Sequence, residues 1–333
     1  MKTKLDKYFR ISQRGSTIGT ELIGGATTFA TMAYILAYMT GAMSAVPGID
    51  LTGVLLCTAL ITAISCIAMG LVANAPIALA PVLVIPNLVA GMVASGEATY
   101  GQAFGTVAIS GIVFLLISVF KLRDLFARSL PKNIKIGIGG AVGLLIASIG
   151  LNTSGLAAAG EDGSFINFSD KSVQLGLIGL AIALLLTYLK ITVNGRTYKI
   201  KGALLISIVL TTIIGIPMGV TVLPENIFTR GALASIGNVA FQVDILGALK
   251  LSFVPFIIML LINDFFGTLG TGLAMAGKAG LLDEDGNFPA FGKVFLVDSS
   301  ATILGSLFGI TTVSCFAESA AGVESGSRTG LSN

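Results

Sequence analysis

Uninterrupted apolar runs, each long enough to cross a hydrocarbon layer as a helix, recur along the whole of this chain. LTGVLLCTALITAISCIAMGLVA (51–73) and SVQLGLIGLAIALLLTYLK (172–190) are two of them. About 20 apolar residues in a helix span the ~30 Å core of a bilayer. Only 11% of the 333 residues are charged, whereas a soluble domain carries about 25%. That is too little charge to cover a water-facing surface, so the chain is a polytopic helical membrane protein. The runs are continuous and do not alternate, which excludes a transmembrane β-barrel.

The same scarcity narrows the chemistry. There is no histidine and no tryptophan, which removes histidine proton relays, Ser-His-Asp triads and His-ligated metals. Cys57, Cys66 and Cys315 all lie in apolar stretches and read as small buried hydrophobes, with no disulfide or metal site. The basic N-terminus runs into an apolar segment too long for a cleavable leader. LLDEDGN (281–287) has the acidity of a calcium loop but lacks its ligand spacing and terminal Glu, so it reads as a solvated turn.

Ten membrane segments are expected, near 18–46, 51–73, 76–94, 103–120, 133–151, 172–190, 201–220, 246–274, 290–308 and 310–326. Two of them stand apart. The third carries Pro76, Pro81 and Pro86, and the latter two are expected to break a continuous helix. The tenth opens with the β-branched ITTVSCF and turns into the small-residue run ESAAGVESG. If every segment crosses, all of the 20 Lys and Arg residues except Lys171, Arg230 and Lys250 fall on one side. The positive-inside rule then places the N-terminus in the cytoplasm of a cell-membrane protein.

Four carboxylates lie within this apolar frame: Glu21, Asp264, Asp298 and Glu318. Insertion of an ion at the bilayer centre costs about 2.5–3.5 kcal/mol, so such residues tend to face a cavity and serve a function. Asp264 is far from both ends of its apolar run and shares a helix face with Thr268. Glu318 stands where ITTVSCF gives way to a helical run, and a broken helix at that depth is tolerated only where it lines an enclosed cavity. Glu21, near the cytoplasmic end, fits an interfacial role as well as a functional one. Asp298, among Ser299, Ser300 and Thr302, fits a helix–helix hydrogen bond. Gly267, Gly270 and Gly272 read as packing positions.

Several stretches together are recognisable: ISQRGSTIGTELIGGATTFATMAYIL (11–36), ANAPIALAP (73–81), NDFFGTLGT (263–271), AGLLDEDGN (279–287) and AESAAGVESGSRTGL (317–331). On these the chain resembles the nucleobase–cation symporters of the xanthine/uracil permease family, in their guanine/hypoxanthine (AzgA-like) permease branch. The resemblance implies an all-α inverted-repeat transporter fold of seven plus seven segments. In it, segments three and ten each hold a short strand and a half-helix. It divides this chain into a cytoplasmic N-terminus (1–17), a first core part (18–131, segments 1–4), a gate part (132–245, segments 5–7) and a second core part (246–333, segments 8–10). The family continues past RTGL by roughly four more segments, so the chain is expected to be shortened, or to work with a partner or as a homodimer.

The implied function is proton-coupled uptake of purine nucleobases, with no enzyme activity, no metal, no organic cofactor and no nucleic-acid partner. Glu318 would take the N–H edge of the base, and Asp264 would bind it or carry the coupling proton. Backbone N–H groups near Cys315, Phe316 and Ala317, and in 82–87, the stretch that holds Pro86 and Asn87, would meet its acceptors, with Thr268 beside Asp264. Phe316, Phe265 or Phe266 would stack on it. Three departures separate the chain from the family pattern. Gly267 replaces the second acid of D-x-x-D, Val82-Leu83-Val84 replaces Gly-Met-Gly, and Met39-Thr40 replaces Asn-Pro. The altered segments one and three motivate one alternative, a transporter of a different small polar solute on the same scaffold; the expected shortening motivates another, a non-transporting membrane fragment or assembly subunit.

Overall fold

Apolar composition decides which stretches become helices, and polar side chains at their ends decide where they start. The computed structural model describes residues 4–120, 166–193, 196–199, 203–221 and 231–333, with single positions between 137 and 156. The expected fifth segment, 133–151, lies almost wholly outside the described residues. A short amphipathic α1 (Lys4–Phe9) precedes α2 (Ile18–Met32) and α3 (Tyr34–Met43), which form one broken span. Then come α4 (Leu51–Ala68), continued by a π-helical turn to Ala73, β1 (Leu79–Pro81), α5 (Val84–Ala94) and α6 (Tyr100–Val119). The middle of the chain supplies α7 (Lys171–Tyr188), the hairpin β2 (Lys190–Val193)–β3 (Arg196–Lys199) and α8 (Ala203–Met218). The last third supplies the short α9 (Ile245–Ala248), α10 (Val254–Lys278), α11 (Phe291–Leu307), β4 (Val313–Cys315) and α12 (Ser319–Glu324).

Four of the long helices, α2, α4, α6 and α7, start at a side chain that accepts from an otherwise orphaned first-turn N–H. Thr17 accepts from Thr20 at 3.2 Å, Asp50 from Gly53 at 3.1 Å and Asp170 from Ser172 at 2.7 Å. Thr99 and Gln102 form a reciprocal capping box at the start of α6. Inside the helices the hydroxyls of Thr27, Thr58, Ser110, Ser118 and Ser299 donate to carbonyls three or four residues back. These five hydroxyls are thus satisfied within their own segment, as an apolar solvent requires.

The apolar pattern is that of a membrane protein. Leu22, Phe29, Leu60, Ile67, Leu116 and Leu185 are exposed on the outside of the helices, where lipid covers them. The core sits where α6, α10 and α11 meet. There Phe114 packs edge-on against Phe265 (5.8 Å between centroids) and Phe295 (5.3 Å). α2 and α12 cross closely at Gly24 and Gly322. A Cβ on Gly322 would lie 2.7 Å from the Gly24 carbonyl oxygen and collide with the Thr28 hydroxyl. α8 lies against α2, and α7 against α8.

Three expectations are corrected. Pro86 does not break a helix; it is the third residue of α5, where a first-turn N–H has no intrahelical partner to lose. Only the strand at Pro81 interrupts the third segment. The eighth segment is not one continuous helix from 246: α9 and a 3-10 turn (Leu251–Phe253) precede α10, which runs on to Lys278. Glu21 does not reach water. It is fully buried, and its two oxygens accept from the backbone N–H groups of Arg328 (2.9 Å) and Thr329 (3.2 Å).

Candidate functional site

The two interrupted segments meet. β1 and β4 pair antiparallel, with Leu79 opposite Cys315, Ala80 opposite Ser314 and Pro81 opposite Val313. Flanking bonds extend the ladder, from Val82 N–H to Thr312 O and from Phe316 N–H to Ala78 O, both 2.9 Å. A two-stranded ladder has two open edges, which hydrocarbon cannot satisfy. Side chains of neighbouring helices close both. On the β4 side the Thr302 hydroxyl of α11 donates to Val313 O (2.9 Å) and accepts from Val313 N–H (3.2 Å). On the β1 side the Cys66 thiol of α4 donates to Leu79 O (3.4 Å) and accepts from Leu79 N–H (3.3 Å). The two caps bind residues placed symmetrically about the central Ala80–Ser314 pair.

Each strand then turns into a half-helix, and the chemistry gathers around these turns. Glu318 is the residue just before α12, half-buried, and its Oε1 accepts from the Tyr34 hydroxyl at 2.6 Å. Phe316 is buried beside Tyr34, with ring centroids 6.3 Å apart. One turn along α3, the Tyr38 hydroxyl donates to Leu83 O (2.5 Å), at the start of α5, and accepts from the exposed Asn87 amide (2.7 Å). α3 therefore holds the start of both half-helices.

Behind β4 lies a second polar group. Asp264 is buried, and its Oδ2 lies 2.9 Å from the Thr302 hydroxyl, whose single proton is shared between this carboxylate and Val313 O. Thr268 donates to the fully buried Asp298 (2.7 Å) and bonds Ser314 Oγ (2.7 Å). Asp298 thus makes the helix–helix bond its setting suggested. Asp264 and Asp298 stand close enough to interact directly, and Oδ1 of each is buried without a hydrogen-bond donor. Among the described residues the one ion pair joins Lys278 to Glu324, so no cation neutralises either acid there. One shared proton would satisfy both orphaned oxygens.

The structure thus brings Asp264, Thr268 and Cys315's neighbour Ser314 into one network, and puts Glu318, Phe316, Tyr34, Tyr38 and Asn87 around the half-helix starts. Pro86 is buried and Ala317 half-buried. Two backbone donors expected to meet a ligand are already used: Val82 and Phe316 N–H are consumed by strand pairing. Phe265 is locked in the aromatic core, while Phe266 is exposed. Tyr34, Tyr38, Thr302 and Ser314 were not singled out from the sequence. The Tyr34/Tyr38 spacing of one helical turn was the available signal. Gly267 faces open space, for a Cβ there would meet only Ser314 Oγ, at 3.8 Å.

Residues 19–331 match the profile Xan_ur_permease, described as a permease family. The chain belongs to this family. The permease is similar to MJ0326 of Methanocaldococcus jannaschii, with 35% identity over 98% of this chain and 73% of that protein. It is 32% identical to the adenine permease AdeP of Escherichia coli K12 over 98% of this chain and 71% of that protein. It is also 32% identical to the guanine/hypoxanthine permease GhxP of Escherichia coli O157:H7, over 98% and 72%. Among solved structures it superposes on SLC26A9 with a TM-score of 0.55 at 14% identity, covering 99% of this chain and 52% of that one. It superposes on the transmembrane domain of the cyanobacterial bicarbonate transporter BicA with a TM-score of 0.51 at 18% identity, covering 94% and 78%. The permease has the inverted-repeat transporter fold, is a multi-pass membrane protein and is not an enzyme.

Proposed function

We propose that this permease is a secondary transporter that takes up purine nucleobases, driven by protons. The relatives named as adenine and guanine/hypoxanthine permeases support the substrate class. The observation that carries the site is Glu318: a half-buried carboxylate, without a cationic partner among the described residues, at the junction of strand and half-helix. Guanine presents adjacent ring and exocyclic N–H donors, hypoxanthine presents ring N–H donors, and a carboxylate is the acceptor that can take two of them. Asn87, at the start of the other half-helix, offers an amide to the acceptor edge, and Phe316 offers a ring face.

Asp264, with Asp298, is assigned the coupling proton. Two adjoining buried carboxyl groups without a cation cannot both hold charge. Thr302 ties this pair to the strand ladder. Alternating access then moves segments 1–4 and 8–10 against segments 5–7, with the N-terminus cytoplasmic. The assembly in this reading is a homodimer.

The test is uptake of radiolabelled guanine, hypoxanthine and adenine in cells stripped of their own purine permeases. Uptake is expected to collapse with the pH gradient and in Glu318→Gln. Wild-type uptake by Glu318→Gln would remove the site, and uptake indifferent to a protonophore would remove the coupling. Open space at Gly267 favours a second reading, in which a different small polar solute uses the same site. Thermal stabilisation of the purified protein by a pyrimidine or small acid, and by no purine, would select it.

A further inference from the structure

Tyr34 makes a bond that the transport reading leaves unexplained. Its hydroxyl holds Glu318 Oε1 at 2.6 Å, the length of a charge-assisted O–H···O⁻ bond. Among the described residues it is the one side chain that donates to this carboxylate. Yet Tyr34 is not locked in the core. It is 37% exposed, and its ring meets Phe316 only at a loose 6.3 Å and 36° tilt. It is also the first residue of α3, just after the break at Ala33 that separates α3 from α2. Three threonines precede that break. Thr27 and Thr31 donate to carbonyls one turn back, a pattern that bends helices, and Thr31 also reaches Glu318 O at 3.4 Å.

We propose that Tyr34 is a stand-in for the base: its hydroxyl occupies, on Glu318, the position that an N–H of the purine takes, and the base displaces it. The inference rests on the purine reading above. Guanine favours the exchange most, because it replaces the one tyrosine donor with a ring N–H and an adjacent exocyclic N–H. In the empty site the bond keeps a half-buried carboxylate from standing without a donor. Release of Tyr34 frees the first turn of α3 at a pre-existing bend. α3 also carries Tyr38, which holds the start of α5, so occupancy at one half-helix is reported to the other. Tyr34 acts through Glu318 and is a positioning residue.

The exchange predicts that deleting the competitor strengthens binding. Direct binding of radiolabelled guanine, hypoxanthine and adenine is measured on the purified full chain in nanodiscs, for wild type, Tyr34→Phe, Glu318→Gln and the double variant. Tyr34→Phe should bind the favoured base about three- to tenfold more tightly, the equivalent of one hydrogen bond removed from the empty state. It should also melt lower without ligand, and the affinity gain should vanish in the Glu318→Gln background. Unchanged or weaker binding by a monodisperse Tyr34→Phe overturns the proposal while leaving the purine site standing. Wild type that binds none of the three bases overturns the purine reading, and this inference with it. A second measurement avoids the substitution: 3-fluorotyrosine placed at position 34 should shift its ¹⁹F resonance when base saturates the site. Bound base with no shift overturns the exchange.

Discussion

At the residue scale, Glu21 ties the start of the chain to its end, accepting from the N–H groups of Arg328 and Thr329. Asp264 and Glu318 stood out because charge is rare in apolar runs. Nothing local told that Glu21 would be buried, since the N–H groups it accepts from, at Arg328 and Thr329, lie at the far end of the chain. Replacing Glu21 with Ala leaves those two donors without acceptors. Stability should drop by about 2–4 kcal/mol, read as a lower melting temperature in detergent, with Glu21→Gln intermediate. An unchanged melt in Glu21→Ala would show that water replaces the carboxylate. Asp50, outside the spans, answers to pH. The Asn238 amide, first, and the Gly53 N–H hold its carboxyl below the usual carboxylate value. Its stabilisation is fully present above about pH 4, the ordinary carboxylate value, and is lost as pH falls through the lower folded value. Thermal melts across the acid range should show a limb that Asp50→Ala flattens; identical limbs would discharge Asp50 of this role.

At the scale of the element, apolar length gave most spans and the prolines and β-branched residues marked the two broken ones. Their register was not legible, because residues in contact across β1 and β4 come from opposite ends of the chain. It is testable by cross-linking. Leu79→Cys, with Cys57→Ala and Cys66→Ser, should form a disulfide with Cys315, its antiparallel partner, on mild oxidation. Ala80→Cys in the same background should not, since neighbouring residues on a strand point to opposite faces. The reverse pattern would shift the register by one. The α2–α12 crossing gives a second prediction. Gly322→Ala puts a methyl into the Gly24 backbone, and should lower the melting temperature and weaken base binding together, because it pries the turn bearing Glu318 away from α2. A variant that melts low but binds normally would confine the effect to packing.

On the scale of the whole molecule, the lopsided placement of Lys and Arg predicts sidedness. An impermeant maleimide applied to intact cells should label Ser44→Cys, at the exposed end of α3, and spare Glu284→Cys, in the exposed turn of 281–287; labelling of Glu284→Cys alone would invert the topology. The departures from the family pattern also become concrete here: Gly267 leaves room rather than a second acid. Finally, the Cys66 and Thr302 caps have a mechanical consequence. With the outer edge of each three-residue strand bonded by a helix side chain, at Leu79 and at Val313, neither strand is free at that residue to pair elsewhere. The two interrupted segments are pinned where they cross, like the arms of a pair of scissors fixed at the rivet, and a motion that carries one arm must carry the other.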